Sequence, residues 1–130
     1  MGECGPLRIE GVDRRLLDFF QDLKKELPTA HITSGFRTKE EQTCLYKKMP
    51  PGMAAKPGTS SHESGRAIDI GGIDYTSKEL RKTVTKVLGK HPDVLWGYYF
   101  KVSDPVHFYV PKTSPVWPAA LILGSLGLFF

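Results

Sequence analysis

An α+β domain, with helices packed on a small antiparallel sheet, is predicted by three features of the chain. Apolar residues recur at helical spacing in two separated segments, residues 67–70 alternate with a period of two, and two aromatic-rich stretches follow near the end. The implied order is helix, strand, helix, long loop, strand, helix, strand, strand. No internal repeat is visible.

The elements follow in order. Val12, Leu16, Phe19, Phe20, Leu23 and Leu27 form one stripe of an amphipathic helix that Pro28 closes. His31 to Ser34 reads as a short strand. Thr38 with Glu41 three positions on is a capping box, and it opens a second helix running to about Lys48. Residues 49–61 are rich in Pro, Gly and Ser and read as a loop at the rim of a cleft. In Ala67-Ile68-Asp69-Ile70, Ala67 and Asp69 share one strand face and the two Ile residues the other. Thr76 and Glu79 repeat the capping pattern before Leu80, Val84, Val87 and Leu88, the buried face of a third helix. Val94 to Phe100 and Val106 to Val110 read as strands.

At 130 residues the chain is long enough for one core but not two. Its net charge of +4 is mild; it suits an anionic envelope polymer as well as a plain basic surface, and no nucleic-acid partner is assigned. Cys4 and Cys44 are too few and too far apart for a disulfide framework, so free thiols are expected. Met1 to Asp13 holds no apolar signal run, which predicts no conventional secretion. From Pro115 to Phe130 no charged side chain occurs, so residues 1–112 are read as the working domain and 113–130 as a hydrophobic tail. That tail is short of the roughly 20 residues a bilayer span needs, and membrane contact, a docked core element and a frameshifted terminus stay open. Were it to insert, Lys101 and Lys112 would favour a cytoplasmic position for the domain.

The chemistry concentrates in Gly58-Thr59-Ser60-Ser61-His62-Glu63-Ser64-Gly65-Arg66-Ala67-Ile68-Asp69, with a second His in Asp104-Pro105-Val106-His107. Two imidazoles and one carboxylate are the protein ligands a catalytic zinc needs, with a fourth position left for water. Ser60, Gly65 and Ala67 are small, as a crowded backbone around a metal requires, and Gly65 admits positive φ where loop turns into strand.

These residues, together with Ile32-Thr33-Ser34-Gly35-Phe36-Arg37, Trp96-Gly97 and the pair His107-Phe108, resemble the M15 family of zinc peptidoglycan peptidases. The family includes D-alanyl-D-alanine carboxypeptidases and the L-alanyl-D-glutamate endopeptidases of phage lysins. The likeness runs in order from about Arg14 to Val110, and the Asp of Asp104-x-x-His107, where carboxypeptidase relatives more often have Glu, is closer to the phage branch. The resemblance implies a Hedgehog/DD-peptidase-like fold and one zinc held by His62, Asp69 and His107. It also implies Asp104 as general base, Arg37 as a polar stabiliser in the cleft, and a peptidoglycan peptide as substrate for what is expected to be a monomer. Without a signal, such an enzyme is expected in the host cytoplasm before lysis or on the virion, attached to a membrane if the tail inserts.

Positions three apart on a flat strand face opposite ways, so Asp104 can reach the metal water only if the chain bends at Pro105. Arg37 would offer paired N–H donors to a substrate carboxylate or an oxyanion. Ser60 is assigned to orienting a ligand or binding substrate backbone, and Trp96 to the cleft wall. A serine nucleophile is disfavoured because Gly-x-Ser-x-Gly is absent. Glu63 has no second His at the spacing of a His-Glu-x-x-His helix and is read as solvated. His31 and His91 lack ligand-like context. A binding or phage morphogenesis module that keeps the fold without turnover is the alternative, and Asp104 argues against it.

Overall fold

Helix α1 spans Arg14–Glu26, where the side chain of Asp13 accepts a hydrogen bond from Arg15 N at 2.9 Å and caps the first turn. Its stripe of Leu16, Phe19 and Leu23 is fully buried. The computed structural model describes residues 4–112, and the apolar tail expected from Pro115 lies outside that range. Among the described residues no helix is long and apolar enough to cross a membrane.

Strand β1 (His31–Ser34) leads to helix α2 (Lys39–Lys48), which opens on the expected capping box: Thr38 Oγ1 accepts from Glu41 N and Glu41 accepts from Thr38 N. Strand β2 (Ala67–Gly71) and helix α3 (Lys78–Leu88) follow. The cap of α3 is Ser77, not Thr76: Ser77 Oγ accepts from Leu80 N at 3.2 Å, while Thr76 bonds instead to the Asp74 carboxylate. Two neighbouring hydroxyl residues both fit the cap pattern, and the Asp74 turn decides between them.

The expected strand over Val94 to Phe100 shrinks to β3 (Leu95–Trp96), after which Gly97–Tyr99 forms a 3-10 turn. The Gly97 carbonyl accepts from both Phe100 N and Asp104 N, which folds the chain back before a pairing ladder can extend. Strand β4 (His107–Tyr109) completes one antiparallel sheet in the order β1-β2-β4-β3. The α+β prediction and the small antiparallel sheet are thus both present.

Alternation along β2 sends Ile68 and Ile70 into the core with Phe108 and Val110, beneath Leu16, Phe19 and Leu23 of α1 and Val84 and Val87 of α3. Phe19 and Phe108 meet at a ring-centroid distance of 5.0 Å. Asp69 and His107 project from the other face.

Cys4 and Cys44 form a disulfide with a Cα–Cα distance of 5.6 Å, which corrects the expectation of free thiols. Forty positions separate them in sequence, and only the passage of α2 beside the N-terminal segment brings them together.

Phe19→Ala should destabilise the domain by about 3–5 kcal/mol, the usual cost of emptying a buried aromatic site. Thermal or urea denaturation measures it, and a loss under about 1 kcal/mol would mean that α1 is not docked on the sheet as described. For α3, Ser77→Ala should cost about 1 kcal/mol and Thr76→Ala less. Equal losses would contradict the capping assignment.

Candidate active site

The register of the sheet assembles the centre. Asp69 of β2 stands directly opposite His107 of β4, and on its other side opposite Ser34 of β1, where one extra residue, Thr33, bulges the edge strand. His62 comes from the 3-10 turn Ser61–Ser64 just before β2. Ser60, expected to orient a ligand or bind substrate backbone, caps that turn by accepting from the His62 backbone N–H at 3.2 Å. Gly65 ends the turn at φ 72°, the left-handed conformation the sequence suggested.

Among the described residues, His62, Asp69 and His107 each offer one candidate ligand atom, and these atoms all lie within 4.8 Å of one another. Asp69 Oδ1 lies 3.3 Å from His62 Nε2 and 3.2 Å from His107 Nδ1. Ligands about 2.0–2.2 Å from a tetrahedral ion stand about 3.3–3.6 Å apart, so these separations suit a shared cation.

The tautomers point the same way. His62 Nδ1 is 2.9 Å from the Gly35 carbonyl, which can only accept, so a proton belongs on Nδ1 and Nε2 is left to face a carboxylate oxygen. Two acceptors face each other unless a cation or a proton sits between them.

Electrostatics separates the two carboxylates of the site. Burial opposes ionisation of Asp69, but its contacts with His107 and His62 outweigh burial and hold the carboxyl well below the usual range. Asp104, solvent-accessible at the mouth of the cleft, is pushed the other way, first by partial desolvation and then by the Asp69 charge. The bend expected at Pro105 exists: residues 105 and 106 form a turn in which His107 N donates to Asp104 O at 3.1 Å.

A cleft of about 510 Å³ opens over the three ligands and is lined also by Arg37, Ser60 and Asp104. Its rim includes Met49, Met53 and Ala54 from the loop predicted as a rim, faced by Phe100 and Val102. A second cavity of about 320 Å³ shares Arg37, Leu45 and Asp69 with it. Burial lowers the pKa of the Arg37 guanidinium, though it remains a cation. Its hydrogen bonds run to Ser34 Oγ and Gln42 Oε1, both 2.6 Å, and neither partner neutralises it.

Trp96 departs from expectation. It is 4% exposed, stacked on Phe108 and Tyr98, and is not among the cleft-lining residues; its indole N–H donates to the Pro105 carbonyl at 2.6 Å. Its place is behind the turn that presents Asp104 and His107. Glu63, read as solvated, accepts the Gly58 N–H with both oxygens at 3.0 and 2.8 Å and so ties the rim loop to the His62 turn. His91 meets Asp22 at 2.7 Å and His31 meets the Thr29 carbonyl, both away from the centre.

Gln42 was missed. Nearly fully buried, it supports Arg37 and donates from Nε2 to the Ala55 carbonyl at 2.8 Å, joining the cleft cation to the rim. Its polar side chain on the inner face of α2 was the available signal, since buried amides are kept where their hydrogen bonds are met.

Residues 9–96 match the family described as VanY, D-alanyl-D-alanine carboxypeptidase, a stretch that holds Arg37, His62 and Asp69 and stops before Asp104 and His107. No curated protein matches the chain in sequence. Among solved structures it is similar to the L-Ala D-Glu endopeptidase ChiX of Serratia marcescens, with a TM-score of 0.61 and 18% identity over 79% of this chain and 83% of that one. It is similar to DacB of Streptococcus pneumoniae, with a TM-score of 0.57 and 21% identity over 82% and 72% of the two chains. It is also similar to the vancomycin resistance D,D-pentapeptidase VanY in complex with Zn(II), with a TM-score of 0.52 and 18% identity over 83% and 84%. At such identities these likenesses concern the fold, and it is the sequence match over more than half of the length that establishes kinship: the chain belongs to the VanY D-alanyl-D-alanine carboxypeptidase family of M15 metallopeptidases.

Proposed function

We propose that the protein is a zinc-dependent peptidase that hydrolyses a peptide bond in the peptidoglycan stem peptide. The observation that carries this reading is the meeting of His62, Asp69 and His107 ligand atoms, from separate segments, at the floor of an open cleft. A closed structural site would bury its metal; a catalytic one keeps a side open. Zinc bound there would supply Lewis acidity to the scissile carbonyl and to the attacking water.

The chain's own residues do the rest. Asp104 accepts the proton of the attacking water and returns it to the leaving amine, and its raised pKa makes it a better base than an ordinary aspartate. Arg37 takes a substrate carboxylate or steadies the developing oxyanion, held in place by Ser34 and Gln42. The Gly35 carbonyl keeps His62 in one tautomer. A non-catalytic module would have no use for a partly desolvated carboxylate in the same cleft as the three candidate ligands.

Within this class we favour an endopeptidase of the lysin type. Support comes from Asp104 in its motif, from the second cavity that shares Arg37 and Asp69 with the cleft lining, and from the likeness to ChiX. The family description favours the second reading, a carboxypeptidase in which Arg37 receives the terminal carboxylate. Mass spectrometry of products from purified peptidoglycan separates them: release of single D-alanine selects the carboxypeptidase, and internal cleavage the endopeptidase.

Purified protein should bind one zinc per chain, and chelation should abolish turnover. Undiminished activity of metal-free protein would end the proposal. His107→Ala should lose metal, whereas Asp104→Ala should keep it and lose turnover by about 10²-fold or more. Wild-type rates from Asp104→Ala would remove that residue from the mechanism.

A further inference from the structure

The N-terminal segment from Cys4 to Asp13 contains no helix or strand, yet it touches both loops that carry the site. Toward the loop after β1, Phe36 N donates to the Arg8 carbonyl at 2.9 Å, and the Arg8 guanidinium pairs with Glu41 in the first turn of α2. Toward the loop before β2, Asp13 N donates to the Gly65 carbonyl at 2.8 Å. The approach is close on both sides: a Cβ on Gly35 would lie 2.1 Å from the Arg8 carbonyl oxygen, and one on Gly65 1.9 Å from that of Gly11.

Those two glycines bracket the metal site. Gly35 supplies the carbonyl that fixes the His62 tautomer, and Gly65 N donates to the His62 carbonyl at 3.2 Å. Arg37 N also donates to the His62 carbonyl, at 3.0 Å, so hydrogen bonds join both loops and His62 to the segment behind them. The far end of that segment is fastened to α2 by Cys4–Cys44.

We propose that residues 4–13 are a strap that positions His62 and Arg37, and that the Cys4–Cys44 disulfide is its latch, so that a thiol reductant loosens the zinc site. This rests on the zinc peptidase reading above. In the step a dithiol gives up two electrons and two protons and closes to its cyclic disulfide, while the Cys4–Cys44 S–S bond breaks to two thiols; the metal is not oxidised or reduced. The latch is open where thiols are kept reduced and closed in an oxidising envelope, which couples the strength of the site to compartment.

The test compares zinc affinity, by competition with a chromophoric chelator, among the oxidised wild type, the double variant Cys4→Ser/Cys44→Ser, and Ser77→Ala, a variant destabilised at the cap of α3, away from the strap. The double variant should bind zinc about 10-fold or more weakly, the usual effect of disturbing residues that orient a ligand, and its cobalt-substituted visible spectrum should change. Ser77→Ala, assayed below its melting transition, should change neither. Equal affinity in wild type and double variant overturns the proposal, as does an equal loss in Ser77→Ala, which would make the disulfide a general stabiliser. Should the double variant fail to melt cooperatively, Arg8→Gln with the disulfide intact decides: weakened zinc binding supports the strap and unchanged binding overturns it. A wild type that binds no zinc overturns instead the functional reading on which the strap depends.

Discussion

The antiparallel register between β2 and β4 is the constraint from which the rest of the molecule follows. It sets Asp69 opposite His107 on one face and Ile68 opposite Phe108 on the other. A slip of one residue would turn the carboxylate into the core and an isoleucine into the cleft. Packing of Ile68, Ile70 and Phe108 against α1 and α3 therefore does more than stabilise the sheet, because the same contacts that exclude water beneath it hold Asp69 and His107 in register above it.

Around that pair the polar groups divide the labour. Asp69 is kept ionised by its contacts with two imidazoles despite its burial, whereas Asp104, on the turn before β4, is made harder to ionise. Two carboxylates pushed in opposite directions by their surroundings are suited to different tasks, one to hold a cation and one to exchange a proton. The turn carrying Asp104 is fixed from behind by the Trp96 indole on the Pro105 carbonyl, so an aromatic residue of the core acts on the site without lining it.

Irregular backbone supplies the remainder. The 49–60 stretch carries no helix or strand across the cleft rim, yet it is tied down by single side chains: Gln42 on Ala55 and Glu63 on Gly58. On the opposite side the segment before α1 closes against Gly35 and Gly65. The sheet thus sets Asp69 and His107, and short polar ties join it to the loops that line the cleft.

Much of this was legible in the sequence because it depends on local rules. The α1 stripe, the Thr38–Glu41 box, the alternation of β2 and the bend at Pro105 are properties of neighbouring residues, and the spacing of His62 and Asp69 with a later His107 pointed to three side chains whose candidate ligand atoms lie within 4.8 Å of one another. Tertiary structure alone decided which distant groups meet. Cys4 and Cys44 pair because α2 passes the N-terminal segment, Trp96 turns inward because Phe108 offers it a stacking face, and Ser77 displaces Thr76 as cap because Asp74 claims the threonine. Gln42 holds Arg37 only because α2 presents its inner face to the loop after β1. Sequence encodes the period of an element and the chemistry of its side chains; a partner many positions away is selected by the packing of the whole chain.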